Sequence, residues 1–176
     1  MVKSGDRIRA AVNVLEAEDG VMNVLKIGGV KYEKKTTQGN VIEFEVLGEP
    51  VAQGRPRATT VNGSARMYDP GKSRDFKHYV KLIAQEYAPK ELLTGALSLE
   101  IIIYRKIPKS FSKKKQLEAE NGTLKPTTKP DSDNYLKGLS DALNGLIWKD
   151  DSQITDAIVR KRYSNRPRVE IRIEEV

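Results

Sequence analysis

An α/β domain with a mixed β-sheet and two packed helices is the fold this sequence predicts, preceded by a β-rich or irregular N-terminal extension. Three observations predict it. Apolar residues alternate with polar ones in several short segments, the signature of half-buried strands. Two longer segments place apolar residues at helical spacing instead. The order is strand, helix, strand, helix, strand, strand, which suits helices packed on a sheet. The expected organisation is an extension or accessory arm over 1–40 and one domain over 41–176 of the 176 residues.

In residues 1–40, the runs from Ile8 to Leu15 and from Val21 to Ile27 are apolar-rich, with Glu16-Ala17-Glu18-Asp19-Gly20 between them. Gly28-Gly29 and Val30-Lys31-Tyr32-Glu33 follow. Two or three short strands joined by turns explain this pattern, with a helix over Arg7 to Ala17 as the alternative. No chemical motif stands here. From Val41 to Leu47 the alternation is regular: Ile42, Phe44 and Val46 face one way, Glu43 and Glu45 the other. Gly48-Glu49-Pro50 ends that strand, and Val51-Ala52-Gln53-Gly54-Arg55-Pro56-Arg57 begins a polar stretch to Gly63. Pro56 fixes its own backbone and keeps Arg55 extended, so Arg55 and Arg57 stand out from a stiff loop.

Asp69 or Ser73 caps the first helix, which runs to about Tyr87 with Phe76, Tyr79, Val80, Ile83 and Tyr87 on one face. His78 lies off the centre of that stripe, a surface position. Pro89 stops the helix. Leu97 to Tyr104 alternates again, and Ile102 on the second face means that both faces are partly covered. From Arg105 to Lys115 come Arg105, Lys106, Lys109, Lys113, Lys114 and Lys115, with no acidic residue among them. Pro108, Pro126 and Pro130 keep residues 107–130 largely irregular, apart from a short helix between Ser112 and Asn121. Asp131 or Asp133 opens the second long helix, to about Ile147, with Leu136, Leu139, Leu143 and Leu146 as its buried stripe. Ile154 to Tyr163 and the alternation of Val169, Ile171 and Ile173 give the last two strands, joined as a hairpin by Ser164-Asn165-Arg166-Pro167.

Composition narrows the chemistry. The chain has no cysteine, which excludes disulfides, thiolate metal sites and cysteine nucleophiles. Its single histidine, His78, disfavours a histidine triad or a two-histidine zinc site. No apolar run approaches the roughly 18–20 residues of a membrane span, and no signal-peptide stretch follows Met1. A soluble, cytoplasmic protein is expected, with no membrane partner. The net charge of +7, from 31 basic and 24 acidic residues, attracts polyanions, chiefly nucleic acid or anionic lipid, although many basic proteins bind nothing in particular.

The informative segment is Lys129-Pro130-Asp131-Ser132-Asp133-Asn134-Tyr135-Leu136-Lys137. Two carboxylates open a helix, and Lys137 follows Asp133 by one turn on the same face. Past the helix, Trp148-Lys149-Asp150-Asp151-Ser152-Gln153 brings two more carboxylates. Gathered carboxylates repel one another unless a cation lies among them, and hard oxygen ligands suit Mg²⁺ or Mn²⁺. Such an ion can activate water and stabilise the leaving oxygen of a phosphodiester. A helix of about fifteen residues is about 22 Å long, so a returning strand or a partner subunit has to close the gap between the two acidic groups. The ordinary alternative is a helix cap, a surface ion pair and a turn. A calcium-binding EF-hand would need glycine where Leu136 stands. An Asp-x-Asp phosphatase or glycosyltransferase motif normally follows an apolar strand, and Thr127-Thr128-Lys129-Pro130 is not one.

Taken together, Lys129 to Lys137, Asp141-Ala142-Leu143-Asn144 and Trp148 to Gln153 resemble the signature region of the RusA family of Holliday junction resolvases. Pro50-Val51-Ala52-Gln53-Gly54-Arg55-Pro56-Arg57 is similar to a sequence common in its members. The resemblance spans about Val41 to Val176. It implies a homodimeric, Mg²⁺-dependent endodeoxyribonuclease, with Mn²⁺ able to substitute, that cuts four-way junctions by paired incisions in DNA recombination and repair. By the same resemblance Asp131, Asp133 and Asp151 are metal-binding catalytic carboxylates and Lys137 is a catalytic lysine, while Asp150 matches an adjacent acidic position. Arg55, Arg57, Arg105, Lys106, Lys109, Lys113, Lys114 and Lys115 are the expected DNA-backbone contacts. Two other readings stand beside it: a structure-tolerant nuclease for branched DNA, and a non-catalytic DNA-binding module.

Overall fold

The computed structural model describes residues 13–14, 24–27, 30–33, 41–55, 57–61, 64–68 and 71–176, with side chains described for 41–55 and 71–176. The chain divides into two units, residues 1–39 and 40–176. The first contains an antiparallel sheet of β1 (Asn13–Val14), β2 (Val24–Ile27) and β3 (Val30–Glu33) in that order. The expected alternative, a helix from Arg7 to Ala17, falls mostly outside the described residues, although Asn13–Val14 within it is strand.

The second unit is a four-stranded mixed sheet with helices against it. Its strands are β4 (Val41–Leu47), β7 (Leu97–Lys106), β8 (Ile154–Ser164) and β9 (Arg168–Glu175), ordered β4-β9-β7-β8. A separate hairpin pairs β5 (Arg57–Val61) with β6 (Ser64–Tyr68). The helices are α1 (Gly71–Ala84), α2 (Lys113–Glu120) and α3 (Ser132–Leu143). The alternating positions make the sheet two-faced. Ile42, Phe44 and Val46 on β4, Leu97 to Ile103 at every second residue of β7, and Val169, Ile171 and Ile173 on β9 are buried together. They pack with Val80 and Ala84 of α1, Tyr135, Leu139 and Leu143 of α3, and Ile147 and Trp148 beyond it. Each such large side chain contributes about 1.5–3 kcal/mol when removed from water, so this layer fixes where α3 lies.

The opposite sheet face is charged and neutralises itself. Arg172 pairs with Glu43 and Glu174, Arg168 with Glu45 and Glu170, and Arg160 with Glu100. Arg168 also lies 3.6 Å above the Tyr104 ring.

Three expectations need correction. Strands β8 and β9 are not a hairpin, because β7 lies between them, parallel to β8 and antiparallel to β9. Burial explains the order: Val169, Ile171 and Ile173 are almost fully buried, as an interior strand requires, whereas residues 155–158 of β8 are exposed and suit an edge. Helix α3 ends at Leu143 rather than near Ile147; Asn144 leaves helical geometry, and Gly145 takes φ +70°, which favours glycine. Ile147 and Trp148 remain in the core without being helical. Tyr79 is 37% exposed, so the buried face of α1 centres on Val80 and Ala84 and leaves Tyr79 at its margin. His78 is exposed, as expected.

Candidate active site

Helix α3 opens at Asp131, which has the extended backbone of an N-cap but makes no side-chain capping hydrogen bond. Asp133 stands in the first turn and Lys137 one turn later. All three are exposed. Among the described residues no hydrogen bond or ion pair engages the Asp131, Asp133 or Lys137 side chains. Two carboxylates at a helix N-terminus gain from its partial positive charge, but no partner fixes them. Asp131 thus holds a cap position without capping.

The surroundings of this helix end are tightly built. The Gln53 backbone N–H donates to the Asn134 carbonyl at 2.9 Å, which seats the Gln53-Gly54-Arg55 loop on the first turn of α3. Gly138 permits this approach, since a Cβ there would stand 3.3 Å from the Gln53 nitrogen. On the other side, Lys161 of β8 donates to the carbonyls of Thr128 at 3.2 Å and Pro130 at 3.0 Å. Arg105 donates to the carbonyl and hydroxyl of Thr128, each at 3.3 Å. Tyr135, buried just inside the helix, has its phenol pushed up by burial, with the Arg105 charge opposing and Glu49 reinforcing the shift. Arg105 is therefore engaged in bracing the segment that leads to Asp131.

Asp150 and Asp151 are held differently. Asp150 caps a short 3₁₀ turn, Asp151–Gln153, accepting from the Ser152 N–H at 2.9 Å, while the Gln153 side chain accepts from the Asp150 N–H at 2.8 Å. The Ser152 hydroxyl and backbone N–H hold the exposed Asp150 carboxyl below the usual carboxylate range. The Asp151 Oδ1 accepts from the Trp148 indole N–H at 2.8 Å. Trp148 is fully buried, so the core itself aims this carboxylate.

The two acidic ends are far apart in one chain. Asp151 opens the 3₁₀ turn that leads into β8, whereas the Asp131 end of α3 is tied to Lys161, seven residues along that strand from Ile154. At about 3.3 Å per residue the separation along the strand is about 23 Å. Consistently, no group of three or more histidine, cysteine, aspartate or glutamate side chains among the described residues could hold a metal ion. A single chain thus does not fit the expected Mg²⁺ or Mn²⁺ site: it presents Asp131 and Asp133 at one end of α3 and Asp151 at the other.

The basic residues divide as well. Lys106 ends β7 and Lys109 follows it, both exposed, and Lys113, Lys114 and Lys115 form the exposed first turn of α2, which Ser112 caps through the Lys115 N–H. Three cations at a helix N-terminus oppose its dipole, and none of the five is ion-paired among the described residues. Arg55 is exposed beside α3; Arg57 opens β5, and its side chain lies outside the described ones. These segments thus carry a run of exposed positive charge with no acidic residue between Arg105 and Lys115. Sequence spacing did not reveal Lys161, Gln53 or the Trp148–Asp151 bond. The one available signal was a lysine at an inward-facing strand position, since Lys161 lies in register with buried Ile103.

The model of the family described as "Endodeoxyribonuclease RusA" matches residues 48–174 of this chain. The protein "Uncharacterized protein YqaN" of Bacillus subtilis (strain 168) is 56% identical over 137 residues, covering 77% of this chain and 96% of the relative. The matched span contains both acidic groups, Lys137 and every basic segment described above. The chain belongs to the RusA family of endodeoxyribonucleases.

Proposed function

We propose that this endonuclease resolves four-way DNA junctions by paired phosphodiester incisions, as a Mg²⁺-dependent homodimer acting in recombination and repair. The observation that carries the reading is the exposed and unpartnered set of Asp131, Asp133 and Lys137, in a chain that belongs to an endodeoxyribonuclease family. Lys137, one turn from Asp133, neutralises charge on the phosphate as it develops. The lysines of the 105–115 segment, with Arg55, grip the backbone and set the strand against the α3 N-terminus. Two carboxylates without a cation would repel that strand, so the proposal includes a divalent ion whose third ligand, Asp151, comes from outside the α3 N-terminal end. A junction is nearly two-fold symmetric and needs two cuts, and one chain supplies one α3 N-terminus, which favours a two-fold dimer.

A panel of labelled four-way junction, flap and plain duplex, each with and without Mg²⁺, tests this directly. The expected result is ion-dependent paired cutting of the junction well above the others. Equal cutting of flap and junction replaces it with a structure-tolerant nuclease, and binding without cutting under all conditions leaves a DNA-binding module.

A further inference from the structure

We infer that α2 reads the branch point of the DNA substrate: Leu117 enters the interrupted base stack there, while Lys113 and Lys114 hold the flanking phosphates. This rests on the nuclease reading above and names the element that separates branched from plain DNA. Strand β8 sets the helix beside the acidic end of α3. Lys161 holds the Thr128 and Pro130 carbonyls just before Asp131. Tyr163, two residues on and on the same face of the strand, carries α2. It is buried with Ile107 and Ala119, and Phe111 meets its ring edge-on at 5.7 Å. Two strand residues span about 7 Å, so α2 is seated one pleat beyond the residue that braces Asp131.

The helix is fixed at both ends. The Glu120 carboxylate accepts from the Ser164 hydroxyl at 3.1 Å and from the Asn165 N–H at 2.7 Å, which pins the end of α2 to the turn after β8. Ser112 caps the start. With Ala119 fully buried, the helix phase decides what faces outward. Leu117 lies about 200° round the helix from Ala119, at about 100° per residue, and is 68% exposed. Lys113 and Lys114 flank it one turn earlier. A leucine exposed alone is ordinary. This one stands between two cations on a rigid helix next to the candidate site.

Charge and polarity together select the occupant. Lysines bind phosphates of any DNA, whatever its sequence or form. Leucine gains nothing from a phosphate but gains from the face of a base, and apolar wedges enter opened base steps in this way. In continuous duplex the base faces are stacked and opening a step is costly. At a branch the stack is already interrupted, and that cost falls. The lysines therefore supply affinity for all DNA, and Leu117 supplies the preference for branched DNA.

The test uses the full chain without divalent ion, so that binding is measured apart from cutting. Leu117→Ala should weaken binding to a four-way junction on the order of 10-fold, and leave plain-duplex affinity and the salt slope of log K unchanged. Leu117→Met should keep the parent's junction affinity. Leu82→Ala, at a leucine 61% exposed on α1, should change neither affinity. Alanine suits an exposed helix position, so Leu117→Ala folds. A 2-aminopurine base at the branch point should brighten when the parent binds, as an unstacked base does, and stay dark with Leu117→Ala. Full junction affinity in Leu117→Ala, an equal loss on junction and duplex, or a branch-point base that the parent leaves dark each overturns the inference. Leu117-dependent binding to phosphatidylserine vesicles that exceeds binding to the junction also overturns it and makes α2 a membrane-surface element. Cleavage with Mg²⁺ is scored separately. A parent that cuts nothing removes the nuclease reading, and the binding panel then judges Leu117 alone; a parent that cuts, beside a Leu117→Ala chain with full junction affinity, removes this inference and leaves the nuclease reading intact.

Discussion

The two ends of α3 carry the same residue type in opposite circumstances. At the N-terminal end Asp131 and Asp133 are exposed and make no hydrogen bond among the described residues. At the other end Asp150 closes a capping box and Asp151 is gripped by a buried tryptophan. Bonded aspartates shape a turn and orient one another. The aspartates on the tightly braced helix terminus have no such bond among the described residues, and the proposed function gives them, with the pre-oriented Asp151, a ligand to hold. Lys161, Arg105 and the Gln53 loop fix the helix end while leaving its acids unused. Rigid support beneath uncommitted side chains is what a catalytic site requires.

The largest expected effect of breaking this contrast is at Asp131. Asp131→Asn keeps the shape, removes a charge and, on the proposed function, deletes a hard-ion ligand. It should fold as the parent does and bind junction DNA at least as well without metal. Its cleavage should fall at least about 10²-fold. Had Asp131 been a cap alone, asparagine would serve about as well and cutting would persist. Neutralising Lys113, Lys114 and Lys115 together sharpens the comparison from the binding side. It should weaken binding across DNA sequences and lower the salt slope of log K by up to about 2–3 units. An unchanged slope would make the first turn of α2 a solvated surface.

Trp148→Phe tests the opposite end. It removes the indole donor to Asp151 while keeping an aromatic ring in the core. Cleavage should drop on the order of 10-fold, with junction affinity retained, because the loss is one of orientation. Unchanged cleavage would separate the Trp148 bond from the chemistry. The smallest effect is at Asp150, whose depressed carboxyl implies a stability contribution that is present above the usual carboxylate range and lost as pH falls through the lower folded value. The Tm of the parent should exceed that of Asp150→Asn slightly near neutral pH, and the difference should vanish in strong acid. A difference that grows in acid would contradict the assigned cause.

Much of the domain was legible in the sequence because its strands are half-buried. The Ile42-Phe44-Val46 and Leu97-to-Ile103 alternations state their burial outright, and Asp131 announces a helix start. The β5–β6 hairpin was not legible, since Arg57 to Val61 and Ser64 to Tyr68 lack a clean apolar alternation. Nor was the strand order. Adjacent strands in sequence suggest a hairpin, and only the burial of β9 against the exposure of β8 explains why β7 separates them. The candidate acids were visible by type and spacing. Their division between two ends of a helix followed from the helix length, but whether the returning strand closes the gap depends on the chain path, through the ties of Lys161 to Thr128 and Pro130, which no local pattern encodes.

The most direct measurement compares the two ends in one experiment: single-turnover cleavage of a four-way junction by Asp133→Asn and by Asp150→Asn, with Mg²⁺ and protein in excess. Both substitutions remove one carboxylate charge from an exposed position in the same signature region. The expected result is a loss of at least about 10²-fold for Asp133→Asn, with Asp150→Asn within a few-fold of the parent because asparagine can still cap the turn. Comparable losses in both, or the larger loss at Asp150, would contradict the assignment of the chemistry to the unbonded end of α3.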